Sequence, residues 1–296
     1  MKLTLRDRRL ELRPGVPLLM GIVNATPDSF SDVQGGKPLD ALVDHARELV
    51  SAGAAIVDVG GESGRTDRPA IGTDEEIARV VPLVERLATE GIAVSVDTWR
   101  APVARAALAA GAVLINDVSG LSDPEIADAC AGSGAGLVIT HTRAAPKTKA
   151  FPSYDEIVTD VTEFLAERTA AARDRGVTDD QLLLDPGIDL AKTPAESVEI
   201  LQRLDELNAL GRPLLIAISR KDFVGALTDR PPRARDAGTL GAVEPALDAP
   251  FGTILRVHDV VAASDFLAVR AALRGNGNAP VALPAALRTE PARAHQ

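Results

Sequence analysis

The chain has 296 residues, 46% hydrophobic and 25% charged, the balance of a soluble globular protein, and this length can bury roughly three quarters of the unfolded surface without disulfides or a structural metal. Against 42 Asp and Glu stand 32 Lys and Arg, and the net charge of −10 argues against nonspecific nucleic-acid binding, which cationic neutralisation of phosphates drives, and against docking on anionic membranes. No apolar run approaches the roughly 20 residues of a membrane helix, the opening MKLTLRDRRLEL is no signal peptide, and the lone Cys130 suits a reducing cytoplasm.

Residues 1–14, in which LTL and LEL flank Asp7-Arg8-Arg9, predict a small hairpin suited to capping the bottom of a barrel. Beyond it one arrangement recurs: a run of Val, Ile and Leu, a polar or glycine loop, then an amphipathic stretch. Such continuous apolar runs suit strands buried on both faces of a parallel sheet. Strands are predicted over 18–24, 56–61, 93–98, 113–119, 136–142, 181–187, 213–219 and 253–259, with helical patterns such as 39–50, 75–88, 154–175 and 195–210 between them. The repeat predicts an α/β fold, a (β/α)8 TIM barrel with a short N-terminal hairpin. An open doubly wound sheet usually has fewer strands, and no G-x-G-x-x-G follows the first one. Residues 1–274 form the one expected domain, and 275–296, rich in Gly, Pro and Ala without periodicity, are expected to be a flexible tail.

In such a barrel the active site lies where the strands end at their C-terminal sides. The predicted strands end, in order, in Asn24; Asp58 and Glu62; Asp97; Asn116 and Asp117; His141; Asp185; Ser219 and Lys221; Arg256 and His258. One Asp after a strand is ordinarily a helix cap, but polar ends on all the strands point to a ligand site. Inward carboxylates and amides suit a flat nitrogen heterocycle. Lys221, Arg256 and His258 make a cationic corner where barrels often hold phosphate. Asp28 and Asp32 sit in the long loop 24–36, either a surface connection or a functional lid. The expected ligand is a heterocycle bearing a phosphate or diphosphate, with Mg²⁺.

From Leu19 to about Leu273 the chain resembles the dihydropteroate synthase family. The resemblance is carried by MGIVNATPDSFSD at 20–32, DVGGES at 58–63, SVDT at 95–98, INDVSG at 115–120, DPG at 185–187, SRK at 219–221 and RVHD at 256–259. It implies condensation of 6-hydroxymethyl-7,8-dihydropterin diphosphate with p-aminobenzoate, releasing pyrophosphate in the presence of Mg²⁺. By resemblance, Asp97, Asn116 and Asp185 hold the pterin edges, Lys221 its carbonyl side, and Arg256 stacks on the ring. His258 and Arg65 take the diphosphate, and Asn24 helps hold Mg²⁺ and diphosphate. Asp32 stabilises the dihydropterin cation left when pyrophosphate departs, so that Asp32, Lys221 and Arg256 form the catalytic set. Family members are commonly dimers, which implies a homodimer here.

The acceptor subsite, to which Phe30, Gly64, Leu190 and Asp222 are assigned, departs from the family. Gly64 and Thr66 replace a hydroxyl-bearing residue and a proline, Leu190 replaces the Phe that packs on the aminobenzoate ring, and Asp189 and Ala191 replace its flanking glycines. Asp222 stands where a Ser binds the aminobenzoate carboxylate at a helix N-terminus. A carboxylate there is expected to occupy the helix dipole and repel the acceptor, at a cost of about 1–4 kcal/mol for charges ~4 Å apart. Two accounts stay open: a working synthase whose pocket has drifted, with Lys192 or Arg220 as compensating cation, or a paralogue that keeps the pterin diphosphate and has changed or lost its acceptor. A non-catalytic pterin-binding protein is opposed by Asp32 and the cationic corner, a Schiff base on Lys221 by the neighbouring Arg220 and Arg256, and corrinoid methyl transfer by the TPDSFSD loop. His141 is expected to be structural rather than a metal ligand, and Cys130 a buried, unreactive residue.

Overall fold

The structure is a computed structural model, and it describes residues 1–25, 39–64, 68–277, 280 and 282. Strands β1 (Lys2–Leu5) and β2 (Arg8–Glu11) pair antiparallel as the predicted hairpin, Lys2 opposite Glu11. The barrel strands are β3 (Leu18–Asn24), β4 (Ala54–Gly60), β5 (Val94–Asp97), β6 (Leu114–Asp117), β7 (Gly136–Thr140), β8 (Leu182–Asp185), β9 (Leu214–Ile216) and β10 (Thr253–Val257). They close in the order β10-β3-β4-β5-β6-β7-β8-β9, every pair parallel.

Between them lie α1 (Leu39–Ser51), α2 (Thr73–Thr89), α3 (Ala101–Ala109), α4 (Glu125–Ser133), α5 (Ile157–Asp174), α6 (Pro194–Gln202), α7 (Asp222–Thr228), α8 (Asp236–Ala242) and α9 (Val260–Leu273). The helix predicted over 154–175 starts at Ile157, because the Glu156 carboxylate accepts from the N–H groups of Val158 and Thr159 and caps it there. The helix predicted over 195–210 splits into α6, opened by a Thr193/Glu196 capping box, and a 3₁₀ stretch, Leu204–Leu210, stopped by left-handed Gly211.

The strands read as unbroken apolar runs because both faces are covered. Outward residues such as Val57, Val59, Val94, Val96 and Ile139 pack against helix stripes that include Leu42, Val43, Leu83 and Leu87. Inward Met20, Ile56, Leu114, Val138, Leu183, Leu215 and Ile254 meet Leu3, Leu5 and Leu12 of the hairpin segment. The hairpin therefore stoppers the bottom of the barrel, as expected. Gly136 opens β7 because a Cβ there would lie 2.5 Å from Cδ2 of Leu5. With the bottom filled by hydrocarbon, the polar strand ends gather at the opposite mouth. Most of the expected tail lies outside the described residues, and among the described residues no helix is long and apolar enough to cross a membrane.

Candidate active site

A cavity of about 820 Å³ opens at the C-terminal ends of the strands, lined by residues that include Asn24, Glu62, Asp97, Trp99, Asn116, Asp185, Lys221, Arg256 and His258. Its floor is organised by Asp58 on β4, which is fully buried. Asp58 Oδ2 accepts from Nε of Arg256 on β10 at 2.6 Å and from Nδ2 of Asn116 on β6 at 3.3 Å. The same guanidinium donates through Nη2 to Asp97 on β5 at 2.9 Å. Two acceptors on this floor, Asp58 Oδ1 and Asn116 Oδ1, are buried without a hydrogen-bond partner among the described residues. Orphaned buried acceptors are costly unless a ligand donates to them.

Burial pushes the Asp97 carboxyl up to about 7, against the opposing pull of Arg256 and with help from Asp58. Burial raises Asp185 as well, opposed by Lys221. Asp185 is held by the N–H of Gly187 at 2.7 Å. That residue must be glycine: its φ is +67, and a Cβ would lie 1.8 Å from the His141 carbonyl oxygen. Lys221 donates to the Ile188 carbonyl at 2.5 Å, and burial lowers its pKa.

The corner formed by Lys221, Arg256 and His258 is assembled as expected, but it is less cationic than the residue types imply. Burial, with Arg256 and Arg220 nearby, pushes the His258 imidazole down to about 4. Neutral at ordinary pH, it lies with Nδ1 2.9 Å from Ser219 Oγ. Arg256 is already ion-paired, so the positive charge of the corner is balanced from below.

Other expectations resolve individually. Asp117 turns out of the cavity: its carboxylate accepts from Ser119 N and Oγ and from Leu121 N, so it fastens the turn after β6. His141 is structural, with Nε2 2.8 Å from Asp160 Oδ1 and its ring edge-on to Phe164 at 4.9 Å. Cys130 is buried, and burial raises its thiol. Asp32, Phe30 and Arg65 lie outside the described residues. Gly64 lines the cavity with open space about its Cα, and Leu190 lines it too.

Asp222 requires a correction. It is the first residue of α7, yet its side chain is 88% exposed and pairs with Arg235 at 3.0 Å. Arg235 is thus the compensating cation. Arg220 instead pairs with Asp236, while Lys192, only 2% exposed, donates to the carbonyls of His141, Gly187 and Leu190. The start of α7 is occupied by Asp189, whose Oδ2 accepts from Phe223 N at 3.0 Å.

The sequence names Asp58 and Glu62 only as strand ends, and misses what they do. Arg100 on the loop after β5 bridges Glu62 at 2.8 Å and the buried Glu76, and stacks over Trp99 at 4.5 Å. Lys147, from the loop after β7, crosses the mouth to the Ser63 carbonyl at 2.7 Å. For Asp58 a signal existed, an Asp inside an apolar strand; for Lys147 none did.

Among known proteins, residues 20–258 match the family described as pterin binding enzyme. The dihydropteroate synthase of Mycobacterium leprae is 44% identical over 265 residues, 85% of this chain and 91% of that one. The dihydropteroate synthase of Bacillus subtilis is 42% identical over 248 residues, 82% of this chain and 84% of that one. Among solved structures, Xanthomonas albilineans dihydropteroate synthase with 4-aminobenzoic acid superposes with a TM-score of 0.84 at 41% identity, over 92% of this chain and 98% of that one. The same enzyme in complex with 7,8-dihydropteroate gives 0.83 at 40% identity, over 93% and 99%.

Proposed function

The chain belongs to the dihydropteroate synthase family of pterin-binding enzymes, and from that premise we propose how its cavity performs the transfer. It is a transferase of folate biosynthesis that joins 6-hydroxymethyl-7,8-dihydropterin diphosphate to p-aminobenzoate and releases pyrophosphate. The observation that carries our reading of the site is the floor: Asn116, which keeps a buried acceptor with no donor among the described residues, lines the cavity beside Asp97 and Asp185, over the Asp58–Arg256 pair. A pterin presents several N–H donors along one edge, and this set of acceptors matches them.

Lys221 takes the ring carbonyl, and Arg256, held through Nε and Nη2, offers the flat face of its guanidinium to the ring. The bond between the exocyclic methylene and the diphosphate oxygen breaks, and its electron pair leaves with pyrophosphate. His258, as a neutral imidazole, donates a hydrogen bond to the departing group, and Arg65 supplies charge. Asp32 steadies the dihydropterin cation. The amine nitrogen then bonds to the methylene carbon and gives its proton to solvent.

Mg²⁺ fits as a passenger of the diphosphate. Asn24, which lines the cavity, can offer its amide oxygen as one hard donor, and among the described residues no cluster of His, Cys, Asp or Glu makes a cage. Such a site suits an ion that brings phosphate and water ligands with it. When bound, it offsets charge developing on pyrophosphate.

We also propose a cytoplasmic homodimer. Exposed Val261, Val269 and Leu273 give α9 an apolar outer face for a second copy, and light scattering at micromolar concentration should report twice the chain mass.

Pyrophosphate release from the pterin diphosphate with Mg²⁺, measured with and without p-aminobenzoate, tests the main reading. Acceptor-dependent release supports it; no release and no binding of the pterin diphosphate rejects it.

A further inference from the structure

Lys147 follows Pro146 in a tight turn, in which Thr148 N donates to the Ala145 carbonyl at 3.1 Å. Its φ is 65, in the left-handed region, so residues 145–148 have the pattern of a type II turn, proline second and a positive φ third. A turn built for shape alone would carry glycine or asparagine at that third place. A lysine there is strained, and such strain persists where the surroundings hold it. What holds it is the side chain. Its ammonium donates to the Ser63 carbonyl at 2.7 Å and lies 3.8 Å from Glu62 Oε1, with the side chain only 10% exposed.

Glu62 is the hub at the other end. Its Oε1 accepts from Ile71 N at 3.3 Å and its Oε2 from Arg100 Nη1 at 2.8 Å, while Arg100 Nη2 donates to the Ile71 carbonyl at 3.1 Å. The same guanidinium is anchored on buried Glu76 of α2. Both ends of the loop after β4 are therefore pinned at one carboxylate, and Lys147 fastens the loop after β7 to it. Strands β5 and β6 lie between β4 and β7 in the barrel. The link from Lys147 to Ser63 and Glu62 thus spans the side of the mouth above those two strand ends, where Asp97 and Asn116 stand. All five residues border the one cavity.

The reaction makes that place count. Once the C–O bond has broken, the dihydropterin has lost the diphosphate that tethered it to the cationic corner. Until the amine attacks, only contacts to the ring keep it. Acceptors on the floor orient its edge, and a cross-link between the loops above them slows its escape.

We propose that Lys147 and Glu62 are positioning residues: they strap the loops after β7 and β4 together over the pterin pocket and retain the ring, with or without its diphosphate, through the transfer. This role rests on the transferase reading above and changes no bond made or broken in it.

The test measures dissociation of two ligands, 6-hydroxymethylpterin, which is the ring without the diphosphate, and the pterin diphosphate. Each is displaced from wild type, Lys147→Gly and Glu62→Gln and followed by stopped-flow pterin fluorescence. Glycine suits the positive φ, so Lys147→Gly removes the ammonium and keeps the turn, and its urea midpoint should stay close to that of the wild type. Gln at 62 keeps an acceptor for Ile71 N and removes the charge that draws the lysine. Both ligands should leave Lys147→Gly about tenfold faster and Glu62→Gln several-fold faster, while association changes less than about twofold. Unchanged dissociation of 6-hydroxymethylpterin in either variant overturns the inference. So does acceleration confined to the diphosphate ligand, which would make Lys147 a phosphate contact. A clear fall in the urea midpoint of Lys147→Gly also overturns it, by making the lysine a contact that holds the fold. In each of these cases the transferase reading stands; if neither ligand binds the wild type, that reading falls as well.

Discussion

Arg256 Nε lies 2.6 Å from Asp58 Oδ2 although 198 residues separate the two in the chain. The pair ties β10 to β4 over the top of β3, which lies between them in the sheet. Because Asp58 is fully buried, the guanidinium beside it is the partner that offsets the cost of its burial. Asp58→Asn removes that charge while keeping the shape. It should lower unfolding stability by about 3 kcal/mol, the scale for breaking a buried pair, and weaken pterin diphosphate binding at least tenfold by titration calorimetry. Unchanged affinity would make Asp97 the sufficient anchor of Arg256.

Asp97 supplies a pH dependence with a definite sign. Burial lifts its carboxyl to about 7 in the ligand-free protein. A heterocyclic N–H needs the carboxylate, not the acid, as its acceptor. Affinity for the pterin should therefore rise as pH increases through about 7 and level off above it, as each ligand bound below that pH must first displace a proton. Asp97→Asn should bind more weakly and flatten the profile. A wild-type profile flat from pH 6 to 8 would mean that Asp97 does not touch the ligand.

Asp222→Ser tests whether the carboxylate at the start of α7 bears on the acceptor. The side chain it removes is 88% exposed and already neutralised by Arg235, and exposed pairs are worth little. We expect KM for p-aminobenzoate to change less than twofold. A tenfold fall in KM would show instead that Asp222 repels the acceptor despite Arg235.

The barrel was legible because its strands are buried on both faces, which writes them as unbroken Val, Ile and Leu runs ending in Asn24, Asp97, Asn116, Asp185 and Arg256. The site residues were legible for the same reason, since a strand end in a barrel is also a place at the mouth. What failed to show was partnership across the fold. Asp222 looks decisive in the sequence because it follows Ser219-Arg220-Lys221, yet the start of α8 delivers Arg235 to it. Asp189 looks like a lost glycine, yet α6 and α7 turn it into a cap through Ser197 and Phe223. Lys192 looks like a free cation, and its burial against three carbonyls is a property of the loop after β8 closing on β7. The charge state of His258 depends on burial beside Arg256, which residue type alone does not report.

His141 gives the last prediction, one of stability. It is fully buried, edge-on to Phe164, with its imidazole pushed down to about 3 by burial, Lys192 adding to the effect and Asp160 opposing it. An unfolded chain protonates this histidine near pH 6.5. Between about 6.5 and 3 the unfolded state therefore binds more protons than the folded one, and the corresponding stability is fully present above 6.5 and lost as the pH falls toward 3. Buried Asp97, Asp117 and Asp185 shift the opposite way, so the absolute pH curve mixes both signs. The difference between wild type and His141→Gln isolates the histidine, because those carboxylates are common to both proteins and the amide still offers Asp160 a donor. From pH 7 to pH 4 the wild type should lose about 2–3 kcal/mol more unfolding free energy in urea than the variant. Parallel curves over that range would show that His141 is protonated in the folded protein, with Asp160 holding an imidazolium in place of the neutral ring.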